Sequence, residues 1–226
     1  MDFATFLNNN SSAVFALAGA LSTGLISLAT AWLLRRQDHS LKLWEKIAER
    51  RIQAHEHLLE SAMELRVMVV LGLEDENGQP LRTPHIMISR DHFDHWFTKF
   101  TTGSVSSSPW QTTEAKREAN FVQDYMNTLY QTLVDVPSDL FPNVGIVIRQ
   151  DLIALSSSLE KIVYRFFEKD IRKLRISSLA KWHKYPRSET ESKLFATELL
   201  KHQKAIASMS HPDLKTSVPP HGLEET

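Results

Sequence analysis

The sequence predicts an all-α protein in which one N-terminal transmembrane helix continues into a cytoplasmic antiparallel helical bundle. Three observations favour this fold class. Residues 13–34 carry no charged side chain, and Lys and Arg are frequent directly after them. Helix breakers are scarce, with 7 Gly and 9 Pro in 226 residues. Apolar residues recur at steps of three and four through most of the remaining chain, which is the spacing of one helical face.

The uncharged run AVFALAGALSTGLISLATAWLL, residues 13–34, is long enough for a membrane helix. At about 1.5 Å per residue it rises roughly 33 Å, whereas a bilayer core is about 30 Å thick. A cleaved signal peptide is the other interpretation, but residues 1–12 contain no Lys or Arg and the apolar run is longer than a signal peptide needs. The sequence therefore predicts a retained single-pass anchor preceded by a short extracytoplasmic segment, residues 1–12.

The orientation of the anchor follows from its basic flank. No Lys or Arg precedes the run, and six follow it closely: Arg35, Arg36, Lys42, Lys46, Arg50 and Arg51. Cytoplasmic flanks of membrane helices carry such an excess. We therefore expect a protein of the cell inner (plasma) membrane with its N-terminus outside and most of the chain in the cytoplasm.

Small residues form a stripe along the predicted anchor, and its members are Ala16, Ala20, Gly24, Ser27 and Ala31. In lipid, small residues at this spacing let two helix backbones approach closely. The stripe predicts a homo-oligomer that contacts membrane lipid, although Ala and Gly are also common in membrane helices that do not associate.

Residues 35–71 are predicted to form one long helix or stalk, because neither Pro nor Gly interrupts them. Its apolar stripe includes Leu41, Trp44, Leu58, Leu65 and Val69 and is broken where Arg51 and His55 occur. A coiled-coil-like stripe of this kind would pack against neighbouring subunits. Alternatively, later helices of the same chain cover it.

The cytoplasmic bundle is predicted over residues 72–208, without a strand, and the tail 209–226 is expected to be disordered. A short helix should follow an N-cap at Ser89 and end near residue 100. The next should open at Ser108, or a few residues later, and end near residue 134. Two more are expected over 145–182, where the apolar stripe shifts by one residue, and over 188–208, which begins with a capping box.

One segment of the bundle suggests chemistry. The sequence RDHFDH, residues 90–95, fits the pattern R-[ND]-x-x-x-H and resembles the motif of the HEPN family, whose helical domains often cut RNA. The resemblance implies Arg90 and His95 as catalytic residues, with Arg90 holding a phosphate and His95 moving a proton. A second R-x-x-x-x-H match, Arg50 to His55, shows how readily the shorter spacing arises. We therefore expect capping and surface roles for Arg90 and His95, and a fold that tolerates their replacement.

Other site classes lack a basis in the sequence. There is no cysteine, no H-E-x-x-H and no phosphate-binding glycine loop, so neither a metal nor another cofactor is expected. A net charge of −1 does not fit a generally basic nucleic-acid binder, although residues 161–184 are locally basic.

The layout resembles that of small bacterial single-pass proteins with a HEPN-like cytoplasmic helical domain, including accessory membrane proteins of RNA-targeting CRISPR systems. This resemblance implies a role in antiviral defence against phage. We expect a non-enzymatic scaffold or pore-type effector, and the alternative is a membrane-tethered RNase. A subunit that binds another protein partner fits the same features.

Overall fold

The computed structural model describes residues 11–74, 77–171 and 184–209. The chain is mostly helical there, in agreement with the predicted fold class. Within these ranges, no helix combines the length and the apolar character needed to cross a membrane. Three predictions lie outside the described residues: most of the segment 1–12, the end of the helix expected over 145–182, and the tail 210–226.

The chain divides into two units, residues 1–49 and 50–226. The regular elements are α1 (Ser11–Arg66), β1 (Met68–Glu74), β2 (Pro80–Pro84), α2 (Arg90–Ser107), α3 (Thr113–Leu133), α4 (Phe141–Arg165), α5 (Arg187–Phe195) and α6 (Glu198–Ser208). Single 3₁₀ turns at His85–Met87, Ser108–Trp110 and Ser138–Leu140 connect some of them.

A β-hairpin replaces the end of the predicted stalk helix. α1 ends at Arg66, and β1 pairs antiparallel with β2 in a register that places Val70 opposite Arg82. The prediction of no strand, and of a helix that includes Val69, is therefore wrong. β-Branched residues such as Val69 favour an extended backbone, and Gly72 and Gly78 adopt φ values of +70° and +71° that suit an irregular hairpin.

The core of the second unit lies among α2, α3, α4, α6 and the end of α1. Its largest fully buried side chains include Tyr125, Phe93, Phe100, Phe141 and Phe166. β2 packs against α4, where a Cβ added at Gly145 would lie 2.7 Å from the Cβ of Met87. Gly145 thus permits the close approach of the helix to the segment that follows the hairpin.

The end of α2 differs from the predicted one, and the start of α3 decides between two predicted positions. α2 continues to Ser107, through a Ser/Thr-rich stretch that the sequence suggested as a loop. α3 starts after Thr112, whose hydroxyl accepts a hydrogen bond from the N–H of Ala115 at 3.2 Å. Ser108 and Pro109 instead begin a 3₁₀ turn, so the later of the predicted starts is confirmed.

The one-residue shift in the last long stripe has a local cause. Phe166–Asp170 forms a π-helical turn in which the N–H of Ile171 bonds to the carbonyl of Phe166 at 2.8 Å. A π turn accommodates one extra residue, so the buried face moves by one position. The one-residue shift that the sequence predicts for the apolar stripe therefore occurs at this single turn.

The predicted helix over 188–208 is divided into α5 and α6. Asp151, which is buried on α4, accepts bonds from the N–H groups of Glu198 and Leu199, both at 2.9 Å, and from the Tyr125 hydroxyl at 3.0 Å. Thr197 supplies the N-cap of α6. Burial, and then the neighbouring carboxylate, raises the pKa of Tyr125 and keeps its hydroxyl protonated as a donor. Asp151 therefore anchors the start of α6 to the core.

His55 and Arg51, which interrupt the predicted stripe, both pack against the π turn. The fully buried His55 ring stacks on Phe166 with centroids 3.6 Å apart, and Arg51 lies over the same phenyl ring at 5.2 Å. Nδ1 of His55 lies 2.7 Å from the carbonyl of Arg51, and Nε2 accepts from the N–H of Thr112 at 3.4 Å. This arrangement requires neutral imidazole, and burial lowers the pKa of His55 to about 4.

We expect acid to destabilise the second unit through His55. Its pKa is about 4 in the fold and about 6.5 in an unfolded chain. Between these values the unfolded chain binds the proton and the folded chain does not. The contribution of His55 to the free energy of unfolding should therefore be complete above about pH 6.5. As the pH falls to about 4, the free energy of unfolding should decrease by up to about 3 kcal/mol.

Denaturant unfolding of the wild type and His55→Gln at several pH values measures this contribution. The variant should show a shallower loss of stability on acidification, because it lacks the titrating ring. Parallel pH profiles for the two proteins would contradict the assignment.

Candidate functional site

Arg90 caps the end of α3. Its Nη2 donates to the carbonyls of Leu133, Val134 and Val136 at 2.7, 3.1 and 3.0 Å. The guanidinium also lies 5.1 Å from the centre of the Phe141 ring. The last carbonyls of a helix lack intrahelical partners, and here the carbonyl of Leu133 also accepts a bond from the N–H of Val136 at 3.1 Å. Arg90 therefore connects the start of α2 to the end of α3 and the start of α4.

The start of α2 matches the capping prediction. Ser89 is the N-cap, and its hydroxyl oxygen accepts from the N–H of His92 at 3.4 Å. Asp91 lies in the first turn, where a carboxylate interacts favourably with the helix dipole. Phe93 and Trp96 are 1% and 3% exposed, so they lie on the buried face of α2.

His95 faces different surroundings from Arg90. It is exposed and lines a cavity of about 500 Å³ together with residues that include His85, His92 and Lys99. Arg90 is not among the lining residues, because its guanidinium is held at the end of α3. The structure therefore does not assemble the two motif residues around one cleft.

The cavity around His95 has no excess of positive charge. The Lys99 ammonium group bonds to Glu60 at 3.0 Å and to Glu64 at 2.7 Å, and these bonds raise its pKa. Glu64 and Asp91 also line the cavity. The charge of the one lysine in its lining is thus already compensated, so the cavity does not favour the binding of a phosphate. Among the described residues, no three His, Asp or Glu side chains are grouped to hold a metal ion.

The predicted association stripe lies in the first unit. All five of its residues, Ala16, Ala20, Gly24, Ser27 and Ala31, are exposed. Nothing lies within 4 Å of a Cβ built on Gly24. The face is therefore open for a second helix within the described part of the unit.

The predicted stalk stripe has two different environments. Leu41 and Trp44 are 64% and 40% exposed, whereas Leu58 and Leu65 are fully buried in the core of the second unit. Val69 is half-buried on β1. The expectation that the whole stripe faces neighbouring subunits needs correction, because Leu58 and Leu65 pack inside their own chain. Their spacing reports the bundle core, as the alternative interpretation held.

A buried carboxylate that sequence reasoning missed is Glu118, which is 2% exposed. It accepts bonds from the hydroxyls of Ser158 and Tyr185, both at 2.6 Å, and lies 3.4 Å from the ammonium group of Lys193. Lys193 lies between two rings, 4.1 Å from Phe121 and 4.0 Å from Tyr185. Burial, and then the bond to Glu118, raises the pKa of Tyr185. These contacts attach α5 to α3 and α4. In the sequence, their only sign is that Glu118 directly precedes an apolar residue, Ala119.

Comparison with protein-family models, with curated proteins and with solved structures found no match to this chain. Function must therefore follow from the chemistry of the residues themselves. Of the two motif residues, Arg90 serves the fold and His95 lies in a cavity without free positive charge.

We expect Arg90→Ala to destabilise the second unit by about 1–3 kcal/mol, because it removes the guanidinium donor from three carbonyls, of which that of Leu133 keeps its bond to the N–H of Val136. His95→Ala should change the free energy of unfolding by less than about 0.5 kcal/mol, since the ring is exposed. Denaturant titration of the two single variants measures both effects. The sequence alone predicts that the fold tolerates both replacements, whereas the structure predicts a loss of stability for Arg90→Ala only. Equal free energies of unfolding for the two variants would refute the capping role of Arg90.

Proposed function

We propose that the chain is a single-pass inner-membrane protein that self-associates through residues 13–34 and acts as a non-enzymatic scaffold or pore-type effector. The observation that carries this proposal is the apolar surface of the first unit. Large apolar side chains that are 54–76% exposed occur throughout the run, namely Phe15, Leu21, Leu25, Ile26, Leu28, Trp32, Leu33 and Leu34. Burying one such side chain stabilises by about 1.5–3 kcal/mol, so the surface strongly favours an apolar environment.

The run has no charged face. An amphipathic helix at a membrane surface or on a globular core presents charges on one side. Residues 13–34 contain none, although the large apolar residues project over most of the helix circumference. The proposal rests on this complete run in the sequence, which fits immersion in lipid better than contact along one face.

The polar groups within the run are suited to lipid. The Thr23 hydroxyl donates to the carbonyl of Gly19, and the Thr30 hydroxyl to that of Ile26, both at 2.8 Å. Such bonds satisfy a hydroxyl inside its own helix, where hydrocarbon offers no partner. The two threonines therefore add little to the cost of insertion.

The end of the run has the residues of a membrane–water boundary. The Arg36 guanidinium lies 5.5 Å from the centre of the Trp32 ring, and Arg35 and Arg36 are the first charged residues after the run. Tryptophan is enriched at the headgroup level, and a basic flank favours the cytoplasmic side. This pair supports the proposed orientation, with the N-terminus outside.

The non-enzymatic part of the proposal is supported by the positions of the charged groups. Arg90 is engaged by three carbonyls and Lys99 by two carboxylates. A HEPN-like RNase using Arg90 and His95, the alternative, needs a free cation beside the histidine to hold the scissile phosphate. The role in phage defence is proposed from the resemblance of the layout.

Membrane integration can be tested with charge substitutions at exposed apolar sites. The double variant Leu25→Arg, Leu28→Arg should move the protein from carbonate-washed membranes to the supernatant, because each Arg costs about 2.5–3.5 kcal/mol in a membrane helix. The matched control Val70→Arg, Val105→Arg changes two exposed apolar residues of the second unit and should stay in the membrane. A wild-type protein that carbonate releases completely would overturn the proposal.

The orientation of the anchor can be tested with a reporter fused after Thr226. A fluorescent reporter there should be active, and a phosphatase that works only in the periplasm should be inactive.

Self-association can be tested on two glycines of the same helix. Gly24→Leu should lower the oligomer mass of the detergent-extracted protein, because the side chain blocks close approach along the stripe. Gly19→Leu is the matched control, since Gly19 lies about 100° away from the centre of the stripe and is equally open. A wild type that is monomeric in mild detergent would contradict the self-association, as would equal effects of the two variants.

A further inference from the structure

A second cavity, of about 270 Å³, lies within the second unit between the end of α1 and the end of α2. Its lining offers a guanidinium, an amide, an imidazole, two hydroxyls and an indole, from Arg50, Gln53, His57, Ser106, Ser107 and Trp110. No carboxylate lines it. The cavity around His95, in contrast, is lined by two carboxylates, and we call this second cavity the Arg50 cleft.

Arg50 forms no ion pair with a described residue. Three other arginines of the second unit do so, among them Arg66 with Glu160 and Arg165 with Glu114, both at 2.9 Å. A guanidinium presents a planar fork of donors that matches the oxygens of a phosphate. Arg50 thus supplies an uncompensated positive charge at the edge of a concave site.

His57 also keeps its hydrogen-bonding capacity. No described residue bonds to its ring, and Nδ1 is buried without a partner. The ring is packed so closely against α2 that a Cβ added at Gly103 would come within 2.9 Å of Nδ1. The glycine therefore fixes the position of an imidazole whose polar atoms the fold itself does not use.

The remaining wall is ordered and includes an aromatic surface. The hydroxyls of Ser106 and Ser107 donate to the carbonyl of Gly103 at 3.0 and 2.6 Å, and the Gln111 amide donates to Ser107 at 2.7 Å. Trp110, half-buried in the following 3₁₀ turn, adds an indole beside them. An indole favours a planar ring over an aliphatic group.

We propose that the Arg50 cleft binds a small ligand that joins a phosphate to a planar ring, of the nucleoside monophosphate class. The phosphate would lie against Arg50, beside the His57 ring in the wall of the cleft, and the planar ring against Trp110. Ligand cavities usually measure about 300–1,000 Å³, so this smaller volume suits a mononucleotide rather than a dinucleotide. The proposal is independent of membrane anchoring, because every lining residue belongs to the second unit.

Calorimetric titration of the full-length, detergent-extracted protein with adenosine 5′-monophosphate tests the proposal. Binding should be saturable, and weaker by about tenfold or more for adenosine and for inorganic phosphate, each of which lacks one half of the contact. Absence of binding by the nucleotide at millimolar concentration would overturn it. Equal affinity for adenosine would do the same, because the phosphate would then contribute nothing.

Variants locate the site. Arg50→Gln should weaken nucleotide binding by about tenfold or more, and His57→Asn should weaken it as well. The control Arg82→Gln removes an exposed arginine of β2 that does not line the cleft and should leave affinity unchanged. Trp110→Ala should weaken binding of the nucleotide but not of inorganic phosphate. Circular dichroism confirms that each variant is folded, and equal loss in the Arg82 control would refute the assignment.

Discussion

The second unit depends on the burial of the last turns of α1. Leu58, Ala62 and Leu65 are fully buried there, and polar contacts connect this segment to α2 and to α4. Ser156 on α4 donates to the carbonyl of Ala62 at 2.7 Å, and Lys99 on α2 bonds to Glu60 and Glu64. Loss of apolar contact along this segment would therefore separate α2 from α4 as well as expose leucines.

Buried polar groups then fix where the other helices begin and end. Asp151 holds the start of α6, Arg90 the end of α3, and Glu118 the start of the C-terminal pair. Each of these groups is compensated by several partners, which a buried charge requires. The bundle is thus specified at its helix ends by electrostatics and along its helices by apolar packing.

The sequence predicted what depends on local pattern. Ser89 was identifiable as an N-cap because its hydroxyl directly precedes the residues that form the first turn of the helix. Val69 was misassigned because a three- or four-residue step continues by chance into a strand whose partner lies more than ten residues away. The break before α6 was missed because Asp151, 46 residues upstream of Thr197, stabilises it.

The candidate sites follow the same division between local and distant information. The R-D-x-x-x-H spacing is local, but the role of Arg90 is decided by carbonyls 43–46 residues away, and these assign the side chain to capping. The Arg50 cleft could not be read from sequence, because Arg50 and Trp110 come together only when α2 folds back along α1. Arg50 also belongs to the second R-x-x-x-x-H match. The histidine of that match, His55, is buried against Phe166, and the histidine that lines the cleft with Arg50 is His57.

The cations of the second unit differ in whether the fold already compensates their charge. Arginines and lysines that the fold uses, such as Arg90, Lys99 and Lys193, have their charge satisfied by carbonyls, carboxylates or aromatic rings. Arg50 has no such partner among the described residues and stands at a cavity free of acid. A cation left uncompensated in an ordered concave site gains more from an anionic ligand than one already paired, because no existing ion pair has to be broken. The Arg50 cleft is therefore better suited to an anionic ligand than the cavity around His95, where Lys99 is already paired with two carboxylates.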